Sequence, residues 1–417
     1  MNILIIGNGF DIAHGLPTKY VDFLEFIKVI RQILNKEKLS GIDWGNISSK
    51  VKDLLVTNKG NVQKNLFSKK QKWKDLIDGN IWIEYFLQNN MHGKENWIDF
   101  ESEISDVIQS LDYDMHGGDN NFGLYDEVVK NLSNEFLDCH ERINELESFK
   151  EIKDVLQNDL DKLILALEIY LVEYVNVIDC TSQSPDIIET MIERRKDEKE
   201  IIKGVILNKI LCFNYTNTFE RVYTKKISND IDYIHGKADT ENTNEPNNMV
   251  LGIDEFLPMD RQNIHTEFIA FKKFYQRIYK QTGCKYKEWV DEIKEEYLSY
   301  VHKQTRELNR NMDNVQSKFN RLAEATIKRE KCKQHNLYIF GHSLDITDKD
   351  ILRDLILNDN IYTTIFYHNK ETMGQQIANL VKVIGEEELI RRTGGRTKTI
   401  EFKLQQDMIL NEVGEIV

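Results

Sequence analysis

Four short stretches carry residue types able to bind and cleave a small polar ligand: Gly7-Asn8-Gly9-Phe10-Asp11, Phe213-Asn214-Tyr215-Thr216, Ile234-His235-Gly236 and Gly341-His342-Ser343-Leu344-Asp345. Closely spaced glycines let the backbone turn tightly and bring amide donors up to a phosphate at a helix start. An amide such as Asn214 can hold a water or a ribose hydroxyl, and a neutral imidazole such as His235 is a suitable general base near neutral pH. Each has a plainer reading as well. Asp11 can cap a helix, Asn214 can close an Asx turn, and His235 can be a satisfied buried histidine. Aspartates 345, 348 and 350 can simply complement the start of a helix. The third glycine of a dinucleotide fingerprint is missing, since Ile12 stands there. His14, with Thr18 and Tyr20 beyond a bend at Gly15 and Pro17, reads as a supporting residue.

Each stretch follows an apolar run of strand type, and that spacing places all four at the ends of strands in an open sheet. The runs are Asn2 to Ile6, Lys209 to Phe213, Ile231 to Ile234, Met249 to Leu251, Leu337 to Phe340, Tyr362 to Tyr367 and Thr399 to Lys403. Nearly everything between them has helical periodicity. The expected fold is therefore α/β: one elaborated domain with a Rossmann-like, mostly parallel sheet and large α-helical insertions. The sheet is drawn from about 1–19, 204–257 and 334–417, with insertions over about 20–203 and 258–333. Two further patterns, Trp97-Ile98-Asp99-Phe100-Glu101 and Phe271-Lys272-Lys273-Phe274 with Gln276 and Arg277, can belong to the site and read more simply as amphipathic helices with their charges in solvent. The cluster Arg391, Arg392, Gly394, Gly395, Arg396 and Lys398 can hold a phosphate and reads more simply as a solvated basic turn.

Bulk properties bound the chemistry. The 417 residues suffice for a large core, and 69 acidic against 55 basic side chains give a net charge of -14 that disfavours broad nucleic-acid binding. Five scattered cysteines without a C-x-x-C pair argue against a zinc ribbon or a disulfide framework and for a reducing, cytoplasmic setting. Met1 to Ile6 reads as a buried strand rather than a signal peptide. The apolar stretch Leu160 to Ile178 carries Asp161, Lys162, Glu168 and Glu173, which marks a buried helix and not a membrane span.

Asn8-Gly9-Phe10-Asp11 with His14-Gly15-Leu16-Pro17-Thr18, Trp97 to Glu101, Phe213 to Thr216 and Gly341 to Leu344 resemble the bacterial AbiH-like abortive-infection family over most of the chain. The order Gly-x-Gly, strand-end Asn, His-Gly, then Gly-x-Ser-Leu also resembles, more distantly, the sirtuin-like NAD-consuming proteins. That resemblance implies Asn214 and His235 as catalytic residues, the first holding a water or ribose, the second acting as base. It implies nucleotide contacts from Gly7, Asn8, Gly9, Phe10, Asp11, Thr216, Gly236, Gly341, Ser343 and Asp345. Sirtuin-like proteins commonly place an aspartate where Thr216 stands, and the zinc cysteines of the deacylating branch are absent here, which counts against a deacylase.

The leading expectation is an anti-phage effector that hydrolyses NAD or a related nucleotide. NAD would be substrate or ligand, with no cofactor required and no resident metal. A nuclease holding Mg²⁺ on Asp11, Asp99, Glu101 and Asp345 is the alternative, together with a non-catalytic nucleotide sensor. A phage-derived or protein trigger and self-association are expected partners of the helical insertions; a membrane is not.

Overall fold

The computed structural model describes residues 1–36, 42–45, 47–57, 68–91, 99–116, 149–190, 209–223, 230–239, 248–257, 259–262, 264–310 and 334–410. Trp97, Ile98, Cys139 and Cys332 lie outside them. The strands are β1 (Asn2–Ile6), β2 (Ser182–Gln183), β3 (Lys209–Cys212), β4 (Asp230–Tyr233), β5 (His335–Phe340), β6 (Ile361–Tyr367), β7 (Ile400–Leu404) and β8 (Ile409–Leu410). Six of them form one sheet in the order β4-β3-β1-β5-β6-β7, every neighbouring pair parallel. β2 and β8 form a small antiparallel pair that the sequence did not signal.

Counted within the large sheet alone, the order runs 3-2-1-4-5-6, the doubly wound arrangement in which the chain starts in the middle and builds outward on both sides. Its central strand β1 is buried on both faces and is nearly all apolar, whereas the edge strands β4 and β7 are only partly buried and carry charged residues. Ile3 and Ile5 of β1 pack with Leu337, Ile339 and Leu352 on one face. Leu4 and Ile6 pack with Phe10, Ile210, Phe219 and Phe340 on the other. Ile6 is in register with both Cys212 and Phe340, so the loops after β3, β1 and β5 leave the sheet side by side.

The first insertion has its own core. Helices Tyr20–Lys36, Lys70–Ile77, Ile81–Met91, Phe100–His116 and Phe149–Tyr170 bury Phe23, Phe26, Trp73, Trp82, Phe86 and Phe100 against one another. Phe100 is stacked between Phe86 and Tyr20, both centroid distances being 4.2 Å. This stack fixes the start of helix Phe100–His116 over the end of β1. Helix Tyr286–Arg310 of the second insertion is solvated along much of its length. Its first turns nevertheless place Tyr286, Trp289, Val290 and Ile293 on the sheet.

Two expectations need correction. Met249 to Leu251 is not a strand: it is an extended connection whose partners are irregular, Val250 donating to the His235 carbonyl and Leu251 to the Gln276 side chain. Apolarity there serves the insertion core, which receives Met249 and Leu251. Arg392 is not on a solvated turn: it is 2% exposed and fixed by Glu388, Asp359 and the Leu357 carbonyl.

Candidate functional site at the sheet's carboxyl edge

The point where strand order reverses lies between β1 and β5, and there the two glycine loops interlock. Gly7 donates its amide to the Phe340 carbonyl and Gly9 to the Gly341 carbonyl, while Phe10 donates to Gly7. A methyl group on Gly9 would lie 2.8 Å from Gly341 Cα, and one on Gly7 the same distance from His342 Cα. Gly341 adopts φ +68°, and the next residues form a turn in which Leu344, at φ 60°, points its amide back at His342. These glycines are required for backbone contact between the two loops. The helix expected near Asp11 begins earlier, at Asn8, and lasts only to Ala13. Asp11 thus lies within it and does not cap it.

Below the loops is a cavity of about 330 Å³. From the first motif Gly7, Asn8, Gly9 and Asp11 line it; from the second, Phe213, Asn214, Tyr215 and Thr216; from the others, His235, Gly341, His342 and Ser343. Phe10, Gly236 and Asp345 lie outside the lining. Phe10 fills the sheet core, Gly236 turns the chain at φ +78°, and Asp345 accepts from the Thr347 amide at 3.0 Å. His14 bridges the Phe10 carbonyl and the Tyr223 hydroxyl and is structural.

The insertions complete the cavity. Asp99 and Glu101 come from the first, Lys273 from the second, and Asp348 from the turn after β5. Of the two readings of the insertion patterns, the simpler one, with their charges in solvent, fails for Lys273, which is 3% exposed and sits 2.7 Å from Glu101 and 3.2 Å from Asp348. Nothing local announces this, because the partners are separated by 172 and 75 positions of chain. Lys272, next to it, binds Glu255 outside the cavity.

Asp348 is the hub. Its Oδ1 faces His235 Nε2 at 3.2 Å and its Oδ2 faces His342 Nε2 at 3.4 Å. His342 Nδ1 accepts from the Leu344 amide at 2.9 Å, so its proton must lie on Nε2, directed at Asp348. Burial opposes ionisation of Asp348, yet the Lys273 cation and the two histidine donors hold its carboxyl well below the usual range. Burial and then the nearby Lys273 charge lower His235 to about 4, so its ring is neutral at cellular pH. With Nε2–H given to Asp348, His235 Nδ1 is a bare acceptor, buried and without a partner. Burial raises Glu101 above the ordinary carboxylate range against the pull of Lys273.

Asp11 and Asn214 form a second polar group. Asp11 is 1% exposed, and its Oδ2 accepts from Thr216 at 2.6 Å, which in turn accepts from Thr218 at 3.1 Å. Burial pushes Asp11 up to about 6, opposed by Thr216, Thr218, Asn214 and Arg221. Its carboxylate also accepts from the Asn214 side-chain amide, which is buried with it. Among the described residues no three His, Cys, Asp or Glu side chains are grouped to hold a metal ion. The set Asp11, Asp99, Glu101 and Asp345 is therefore not assembled as the nuclease alternative requires. No helix among the described residues is long and apolar enough to cross a membrane.

The strand order, with a cavity at its reversal, defines a doubly wound α/β protein with a candidate ligand site at the switch point. The profile of the bacteriophage abortive infection AbiH family matches residues 3–368, so this chain belongs to that family. No curated protein and no solved structure matches it.

Proposed function

We propose that this chain is an abortive-infection effector that hydrolyses the N-glycosidic bond of NAD or a related nucleotide in this cavity. The observation that carries the reading is the meeting of Asn214 and His235: they leave different strands and line the same cavity, Asn214 against the Asp11 carboxylate and His235 with a buried ring nitrogen that has no partner. In this reading Asn214 positions a water and His235 Nδ1 takes its proton as the oxygen attacks the anomeric carbon. The electrons of the C–N bond depart with nicotinamide, and the imidazolium that forms is stabilised by Asp348. Carboxylates around the cavity suit the positive charge of an oxocarbenium-like state. Thr216, where sirtuin-like proteins commonly have aspartate, is bonded to Asp11, so a carboxylate is supplied from the short helix after β1 instead.

A phage-derived or protein trigger acting on the insertions fits the same reading, since Glu101 and Lys273 tie both insertions to Asp348. The test is incubation of purified protein with NAD, following nicotinamide by chromatography, with His235→Ala and Asn214→Ala alongside. The expected result is release by the wild type and loss in both variants; release that survives both substitutions overturns the assignment.

A further inference from the structure

The N-glycosidic bonds of NAD and of a purine nucleotide differ in what the departing base needs. Nicotinamide becomes a neutral molecule once it takes the bond electrons. A purine taking them becomes an anion unless a proton reaches a ring nitrogen as the bond breaks. A cavity able to release purines must therefore hold a proton donor besides the base His235, and Glu101 is placed to be one.

Lys273 is shared by two carboxylates, Glu101 at 2.7 Å and Asp348 at 3.2 Å. One buried cation balances one of them, and where two carboxylates share a closed site one keeps its proton. Asp348 also faces the ring nitrogens of His235 and His342, whose N–H groups favour its anion, so the proton falls to Glu101. Burial raises Glu101 to about 8 against the pull of Lys273, with Asp99 and Asp348 adding to the rise. Its other titratable neighbours, Tyr20 and Tyr215, are held above the ordinary phenol range by burial and stay neutral.

Glu101 is also the member of this group most open to the cavity, its side chain 13% exposed against 3% for Lys273 and 9% for Asp348. It follows Phe100, whose ring stacks on Tyr20. Tyr20 and Tyr215, close enough to Glu101 to feel its charge, line the cavity together with Leu167 and Leu171. This is a flat and apolar wall of the kind that takes an aromatic base, and it lies beside the carboxyl that holds the proton.

We infer that Glu101 is a general acid that protonates the departing base, which gives this cavity a further activity: hydrolysis of purine nucleotides to free purine and ribose phosphate. This rests on the hydrolytic reading given above and names a further class of substrate for it. His235 Nδ1 takes a proton from water as the water oxygen bonds to the anomeric carbon. The electrons of the carbon–N9 bond pass into the purine, whose N7 takes the proton of Glu101. Exchange with water then removes the proton from His235 and returns one to Glu101, so one nucleotide and one water give one purine and one ribose phosphate.

The test is incubation of the purified full chain with GMP and with its 7-methyl form at mildly acidic pH, following the free base by chromatography, on wild type and Glu101→Gln. Methylation at N7 leaves the base cationic, so it departs without a proton from the protein. Wild type is expected to release both bases, and in Glu101→Gln the release of guanine relative to 7-methylguanine is expected to fall about a hundredfold or more. No guanine release by wild type overturns the inference. So does an equal loss of both bases in Glu101→Gln, which would make Glu101 a structural partner of Lys273 only. Where the variant does not fold or the 7-methyl form is not taken, the wild-type pH profile decides: guanine release should fall as the pH rises through about 8, and a rate that holds beyond it overturns the inference. Nicotinamide release from NAD without guanine release sinks this inference alone, and guanine release without nicotinamide release sinks NAD as the substrate alone.

Discussion

His235 Nε2 stands 3.2 Å from Asp348 Oδ1, and the opposite nitrogen of the same ring is buried without a partner. A carboxylate that fixes one face of an imidazole decides which nitrogen carries the proton and leaves the other free to receive one. Asp348→Asn removes that control, since an amide offers one acceptor where His235, His342 and Lys273 all require one. Nicotinamide release is expected to fall about a hundredfold or more. Nitrogen NMR of the histidine rings should show His235 losing its single tautomer. A variant with wild-type rate and an unchanged His235 spectrum would show that Asp348 does not position the ring.

Lys273 joins three parts of the chain through Glu101 and Asp348. Removing one member of a buried charge cluster costs about 3–5 kcal/mol, because the remaining charges stay desolvated and unpaired. Lys273→Met should therefore lower the urea midpoint sharply. The double variant Lys273→Met, Glu101→Gln should recover part of that loss by removing a carboxyl that the lysine no longer compensates. Strict additivity of the two substitutions would mean that the contact carries no coupling.

The sheet and the cavity differ in how far the sequence revealed them. β1, β5 and β6 were legible because they are rich in β-branched, aromatic and other apolar residues, and that pattern is local. The loops after β1, β3 and β5 were legible for the same reason, since a parallel sheet brings its carboxyl ends to one edge. Lys273 and Glu101 were not, because their charges are satisfied only by residues distant in sequence, and on a helix they look like any solvated pair. Met249 to Leu251 misled for a related reason: apolar residues can be buried against a helical insertion as readily as in a sheet. What the glycine spacing did not reveal is that the amides of Gly7 and Gly9 are given to the Phe340 and Gly341 carbonyls.

Asp11 ties stability to pH in a direction opposite to an ordinary surface carboxylate. Burial raises its pKa from 3.8 to about 6, with Thr216, Thr218, Asn214 and Arg221 opposing. A raised carboxyl favours folding while protonated; that contribution is complete below pH 3.8 and lost as the pH rises through about 6. At pH 8 the ionised group costs up to about 3 kcal/mol relative to a neutral side chain of the same shape. Asp11→Asn is therefore expected to raise the denaturation midpoint at pH 8, with the gain shrinking toward pH 4. A gain equal at both pH values would show that Asp11 does not titrate in this window.

Gly341 tests whether the meeting of the two loops is as tight as the geometry requires. At φ +68° it occupies a backbone region that residues with a Cβ enter only under strain. An added methyl would also collide with the Phe10 amide and the Gly9 backbone, where nothing flexible can give way. Gly341→Ala is expected to destabilise the chain by about 3 kcal/mol or more, combining conformational strain with a displaced first loop. Because Asp11 and His342 are carried by those same loops, the part of the protein that remains folded should also bind nucleotide more weakly. Gly374→Ala, at a helical glycine with nothing within 4 Å of the added carbon, should be neutral or slightly stabilising and serves as the control. Equal thermal midpoints for the two variants would mean that the loop can move aside, and that the Gly9–Gly341 contact is not what holds the cavity's upper wall.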